Sequence, residues 1–118
     1  HGHPIGDEVR KGVARRCREA LRERDLFARF GGEEFIALLA APTADEVPAT
    51  AERLRNAISG APVHVGGLRI EVTVSVGGAM GEALPGSDAR LLEQLVARAD
   101  EALYQAKADG RNRVRMSG

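Results

Sequence analysis

Leu68, Ile70, Val72, Val74 and Val76 alternate without a break with Arg69, Glu71, Thr73 and Ser75. A side-chain period of two belongs to extended backbone, so this run puts its apolar groups on one face and its polar groups on the other. A helix would scatter the same residues around its circumference. The chain is therefore expected to build a sheet with one covered face, from a half-buried strand over Leu68–Val76 rich in β-branched residues. The remaining segments must supply its neighbours and its cover.

Val9, Val13, Cys17 and Leu21 recur every fourth position, which predicts an amphipathic helix over Glu8–Leu21 with arginines and acids outside. Leu26–Phe30 and Phe35–Leu39 are short apolar runs separated by Gly31-Gly32-Glu33-Glu34, and paired glycines between such runs predict a tight hairpin. The second run is apolar throughout, as in a strand covered on both faces. Thr43-Ala44-Asp45-Glu46 reads as a capping box opening a second helix, with Pro48 near its first turn. Val47, Ala51, Leu54 and Ile58 form that helix's buried stripe, and Gly60 with Pro62 ends it. Val63–Val65 is a short strand before Gly66-Gly67. Pro85-Gly86-Ser87-Asp88 makes a turn and N-cap for a third helix, whose Leu92, Leu95, Val96, Ala99, Leu103 and Ala106 face inward and which stops at Gly110. Asn112–Met116 adds a final strand. This order gives an α+β domain of the ferredoxin-like sort, an antiparallel-rich sheet with flanking helices. Such an architecture hosts many chemistries.

A chain of 118 residues forms one domain with a single core. Its net charge of zero provides no global field to draw in nucleic acid or an acidic membrane. Three Phe and one Tyr, none on the alternating strand, leave no stacking platform for RNA. The single cysteine, Cys17, excludes an internal disulfide and falls on a helix's apolar face, which predicts a buried thiol and a reducing, cytoplasmic setting. No stretch is long and apolar enough to span a membrane, so membrane attachment of a parent protein would lie outside this segment. His1 and His3 lack a third ligand for a metal site.

Glu33 and Glu34 are less easily absorbed into a hairpin, since carboxylates are poor strand starters. Small backbone followed by two acids suits a metal-bound phosphate, and it equally suits a solvated tip. Arg22-Glu23-Arg24-Asp25, just upstream, is by itself a common surface string.

Gly31-Gly32-Glu33-Glu34-Phe35 resembles the motif of the GGDEF family of diguanylate cyclases, in its GGEEF form. Three further blocks occur in the family's order. Gly2-His3-Pro4-Ile5-Gly6-Asp7-Glu8-Val9 is similar to the segment leading into the helix before the hairpin, Thr73-Val74-Ser75-Val76-Gly77 to a late central strand, and Arg98–Lys107 followed by Gly110-Arg111-Asn112 to the C-terminal signature. Gly78 departs from the family's usual apolar residue.

The resemblance implies condensation of two GTP molecules into cyclic di-GMP with release of pyrophosphate, in a homodimer whose domains meet face to face. It implies Mg²⁺ (or Mn²⁺), with Glu33 as metal-binding acid and Glu34 as its support, and Gly31 and Gly32 keeping side chains clear of the nucleotide. Asp7 corresponds to an acid that reads the guanine edge, and Lys107 and Arg111 to phosphate-contacting cations, which an i, i+4 spacing would put on one helical face. The plainer roles for these residues are a first-turn acid for Asp7 and cations favourable to a helix C-terminus for Lys107 and Arg111. Arg22 and Asp25, completed by Arg53, correspond to a product-inhibitory site for cyclic di-GMP.

The family's first strand, with a second metal-binding Asp and a Lys and Asn for phosphate and guanine, is expected before His3. A domain lacking that strand and helix is expected to be inactive alone and to leave a central gap in the sheet. An unrecorded preceding segment, strand exchange with a second copy, or a differently closed sheet would each account for the gap. A non-catalytic cyclic di-GMP receptor is the alternative function.

Overall fold

The computed structural model describes residues 3–31, 34–39, 43–81 and 89–117. Among them α1 (His3–Ala20), α2 (Glu46–Ser59) and α3 (Ala89–Ala108) alternate with short strands: β1 (Leu26–Gly31), β2 (Glu34–Leu38), β3 (Val63–Val65), β4 (Leu68–Ile70), β5 (Val76–Gly78) and β6 (Val114–Met116). The α+β class is as expected. The start of α1 is not, since the helix begins at His3 rather than Glu8. Pro4 is tolerated there because amides of a first turn need no intrahelical acceptor, and Pro4-Ile5-Gly6 carries no apolar period that would reveal the extra turn.

The predicted strand over Leu68–Val76 is also corrected. Only its two ends, β4 and β5, are strand, and among the described residues 71–75 pair with no other strand. From Arg69 to Val74 the side chains keep the expected alternation, with Arg69, Glu71 and Thr73 exposed and Ile70, Val72 and Val74 partly covered, but Leu68 is exposed and Ser75 partly covered. Instead of one sheet, the described strands form three two-stranded ladders. β1–β2 and β3–β4 are antiparallel, and β5–β6 is parallel. The β3–β4 register, Val65 opposite Leu68, leaves Gly66 and Gly67 as a two-residue turn with φ of 53° and 83°, the positive pair such a hairpin requires.

The core is built from small residues. Ala14 and Cys17 of α1, Ala51 and Ile58 of α2 and Val63 of β3 are buried, Ile58 to 1% exposure. Arg16 staples α1 to the far end of α2. Its guanidinium donates to the Ile58 carbonyl at 2.9 Å, the Ala61 carbonyl at 2.6 Å and the Pro62 carbonyl at 2.7 Å, satisfying acceptors that a helix end leaves without intrahelical partners. The N-terminus of α2 lacks the predicted capping box. Asp45 is the N-cap with helical backbone angles and no side-chain cap bond, and the Glu46 amide donates to the Thr43 carbonyl at 3.2 Å.

β5 lies against α3. A Cβ on Gly77 would run into the Ala99 carbonyl and the Leu103 backbone, so glycine sets how closely strand and helix approach. Ala102 and Ala106 are buried on that helix. Over Gly78 the space of a side chain is taken by Met116 of β6, whose Cε would be 2.8 Å from an added Cβ. β2 differs from expectation as well, being partly exposed along its length rather than covered on both faces.

Candidate nucleotide site

The GGEEF stretch sits where the sequence put it, at the turn between β1 and β2. Gly31 ends β1 and pairs with Glu34, the first residue of β2. The register shifts between Arg29 and Gly31, so the strand bulges as it enters the turn and the pairing resumes on the glycine. Gly32 and Glu33 lie outside the described residues. Below the turn, Phe27 and Phe35 stack with ring centroids 5.2 Å apart, and the Arg18 guanidinium of α1 lies 5.5 Å from the Phe27 centroid. The hairpin is thereby tied to α1.

Hard oxygen donors such as Glu33 and Glu34 suit Mg²⁺ or Mn²⁺ in kind. In number they do not yet make a cage: among the described residues no group of three or more His, Cys, Asp or Glu gathers, and Glu34 is the one described acid of the pair.

Asp7 is in the body of α1, not in its first turn, because the helix starts four residues earlier. Its carboxylate accepts from Arg10 one turn on, and its side chain is half exposed. The helix-terminus explanation for this acid therefore falls away.

Lys107 lies in the last turn of α3, and Arg111 lies beyond the helix, which ends at Ala108. The i, i+4 argument for a shared helical face does not apply to them. What brings them together is a C-terminal reversal. The Arg111 amide donates to the Ala106 carbonyl at 3.0 Å and the Gly110 amide to the Lys107 carbonyl at 3.3 Å, the paired bonds of a Schellman motif with glycine at its first residue past the cap. Gly110, Arg111 and Asn112 follow one another at φ of 120°, 63° and 45°. Positive φ is ordinary for glycine, tolerated by asparagine and costly for arginine. Backbone held in such angles away from glycine concentrates at functional positions. Both cations are exposed.

Arg22, Asp25 and Arg53 are brought to one place, the end of α1. The Arg22 amide donates to Asp25 Oδ2 at 2.9 Å while the Asp25 amide donates to the Arg22 carbonyl at 2.9 Å, closing a small reciprocal turn. Arg53 reaches across from α2, and its Nε donates to the Ala20 carbonyl at 2.9 Å. The Arg22 guanidinium meets Glu46 at 3.5 Å, a long and half-exposed pair worth no more than about 1 kcal/mol, so an anionic ligand can take its place. Sequence reasoning missed Arg16, placed among the outward arginines of the first helix, and Arg55, to which it gave no role. Each is recognisable only through backbone carbonyls or side chains that arrive from distant segments.

No described helix is long and apolar enough to cross a membrane. Comparison with known proteins identifies the family. The family model described as "Diguanylate cyclase, GGDEF domain" matches residues 1–113. The chain is 42% identical over 116 residues to diguanylate cyclase DgcP of Pseudomonas aeruginosa, covering 98% of this chain and 16% of that protein, so it spans about a sixth of that relative's length. The GGDEF domain of DgcB from Caulobacter crescentus, solved in complex with c-di-GMP, superposes with a TM-score of 0.83 at 34% identity, covering 98% of this chain and 67% of that one. The active GGEEF domain of a diguanylate cyclase from Vibrio cholerae superposes with a TM-score of 0.79 at 28% identity, covering 99% and 71%. With its motif at the β1–β2 turn and a match that runs nearly end to end, this chain belongs to the GGDEF domain family.

Proposed function

We propose that the chain is the greater part of a diguanylate cyclase domain that, in its parent protein, condenses two GTP molecules into cyclic di-GMP. Each 3′-oxygen forms a bond to the other nucleotide's α-phosphorus. The α–β phosphoanhydride bond breaks, pyrophosphate leaves with that electron pair, and the hydroxyl proton passes to water. The observation that carries the reading is the family match over residues 1–113, with the GGEEF stretch at a two-stranded turn. The solved GGEEF relative is described as active, which supports glutamate at the motif's third position.

On this reading Asp7 accepts from the guanine edge, and Lys107 and Arg111 neutralise phosphates. Gly31 and Gly32 leave room for the triphosphate. Glu33 and Glu34 would hold Mg²⁺ or Mn²⁺, which when bound screens phosphate charge and acidifies the hydroxyl. Catalysis needs a homodimer, because each domain presents one GTP. The parent works in the cytoplasm. Incubating it with GTP and Mg²⁺ yields cyclic di-GMP and pyrophosphate; a folded parent at micromolar concentration that makes neither refutes the proposal.

A second reading is favoured by the cluster at the end of α1. Arg22, Asp25 and Arg53 supply two planar cations and an acceptor suited to phosphate and guanine, which fits either product inhibition in the cyclase or a non-catalytic cyclic di-GMP receptor. Calorimetry separates this cluster from the nucleotide site. Arg22→Ala weakens cyclic di-GMP binding at least about tenfold, and unchanged affinity removes the cluster from consideration.

A further inference from the structure

Arg55 stands two residues from Arg53 on α2 and points to a different part of the molecule. Its Nε donates to Glu52 Oε1 at 2.9 Å and its Nη2 to Glu52 Oε2 at 3.2 Å, a bidentate pairing that fixes the plane of the guanidinium. The same Nη2 reaches Asn56 Oδ1 at 3.2 Å. The remaining arm, Nη1, donates to Asn112 Oδ1 at 3.1 Å, across 57 positions of sequence. The Glu52 carboxyl is held below its usual range, chiefly by the hydrogen bond from Arg55, in keeping with that pairing.

Asn112 is the last of the three consecutive positive-φ residues, and its amide donates to Ser75 Oγ at 3.2 Å. The Arg111 amide is held by the Ala106 carbonyl. The turn carrying Arg111 is therefore pinned to α3, to the 71–75 stretch and, through Asn112, to α2. An arginine does not keep a left-handed angle without such restraints.

We infer that Arg55 is a positioning residue: through the Asn112 side chain it holds the 110–112 turn, and so sets the direction in which Arg111 leaves the backbone. This rests on the reading of Arg111 as a contact to the GTP phosphates, and it adds a residue outside the site that tunes that contact. Lysine cannot replace Arg55, because an ammonium lacks the planar fork that engages Glu52 and Asn112 together.

The test uses the full-length parent and two independent readouts. Arg55→Met keeps the aliphatic stem and removes the fork. Hydrogen exchange at the Arg111 and Asn112 amides accelerates about tenfold, while the β1–β2 amides are unchanged. The KM for GTP rises about tenfold with the affinity for cyclic di-GMP at the Arg22 cluster unaltered. Asn112→Gly, which suits the backbone angle but lacks the link, gives the same acceleration even if Arg55→Met folds poorly. Asn112→Asp retains an acceptor for Arg55 and keeps the exchange protection. Unchanged exchange in both Arg55→Met and Asn112→Gly overturns the inference whatever the protein does with GTP. Faster exchange with an unaltered KM overturns the role toward the nucleotide. A parent that neither binds nor consumes GTP refutes the proposed function, and the exchange result still decides whether Arg55 positions the turn.

Discussion

Replacing Gly77 by alanine is the most direct test of how β5 meets α3. The new Cβ would be driven into the Ala99 carbonyl oxygen and the Leu103 amide nitrogen, and would lie 2.7 Å from Leu103 Cα. Carbon atoms in contact settle about 3.5–4.0 Å apart, so the strand must retreat by about 1 Å. That retreat loosens the packing over Ala102 and Ala106 and pulls on the parallel ladder with β6. Overpacking costs about 1–3 kcal/mol, and because every obstructing group is backbone, no rotamer change relieves it; about 3 kcal/mol is expected. At about 4 °C per kcal/mol for a domain of this size, the thermal midpoint falls by about 12 °C. Circular dichroism melts measure it, and urea unfolding with an unchanged m-value confirms that native stability is what moved. Gly66→Ala is the internal control. Nothing lies within 4 Å of its added Cβ, but φ is 53°, so backbone angle alone costs about 1 kcal/mol. A Gly77→Ala protein no less stable than Gly66→Ala refutes the close approach.

Arg16→Met removes three donors from carbonyls at the end of α2 while keeping the stem, and lowers stability by about 2 kcal/mol in urea titration; an unmoved midpoint would mean water serves those carbonyls equally well. Burial pushes the Cys17 thiol up from 9.0 to about 11, against a smaller opposing pull from Arg18. The folded-state value is the raised one, so this group's contribution to stability is complete below the unfolded value of 9.0 and is lost as pH rises through about 11. A thiol reagent at about pH 8 accordingly labels Cys17 no faster than the protein unfolds, and immediate stoichiometric labelling would contradict its burial.

The periodic parts of the fold were legible because periodicity reports faces. The spacing of Ala51 and Ile58 found the buried side of α2, and Gly110 marked the end of α3 through the reversal it permits. Periodicity says nothing of edges. The alternation sorted the side chains from Arg69 to Val74 but not the exposed Leu68, and whether 71–75 joins a ladder depends on a partner strand elsewhere, which the run cannot encode. The capping box failed for a related reason: Thr43 and Glu46 have the right spacing, but Asp45 takes helical angles and becomes the cap. At the candidate site, Asp7, Gly31, Glu34, Lys107, Arg111, Arg22, Asp25 and Arg53 were assigned by motif order alone, and their roles stand as proposals. The presumed helical face of Lys107 and Arg111 was wrong because the helix stops between them. The turn at Pro85–Asp88, together with Gly32 and Glu33, lies outside the described residues.

Anyone engineering this domain for heat resistance will meet a conflict at the 110–112 turn. Glycine at 111 would relax a φ of 63° and recover about 0.5–1 kcal/mol after its own entropic cost. A screen that rewards only survival on heating would collect that substitution and discard the guanidinium with it. If Arg111 contacts phosphate as proposed, robustness and ligand recognition pull this codon in opposite directions, and a stabilised library needs sorting on nucleotide binding in the same round.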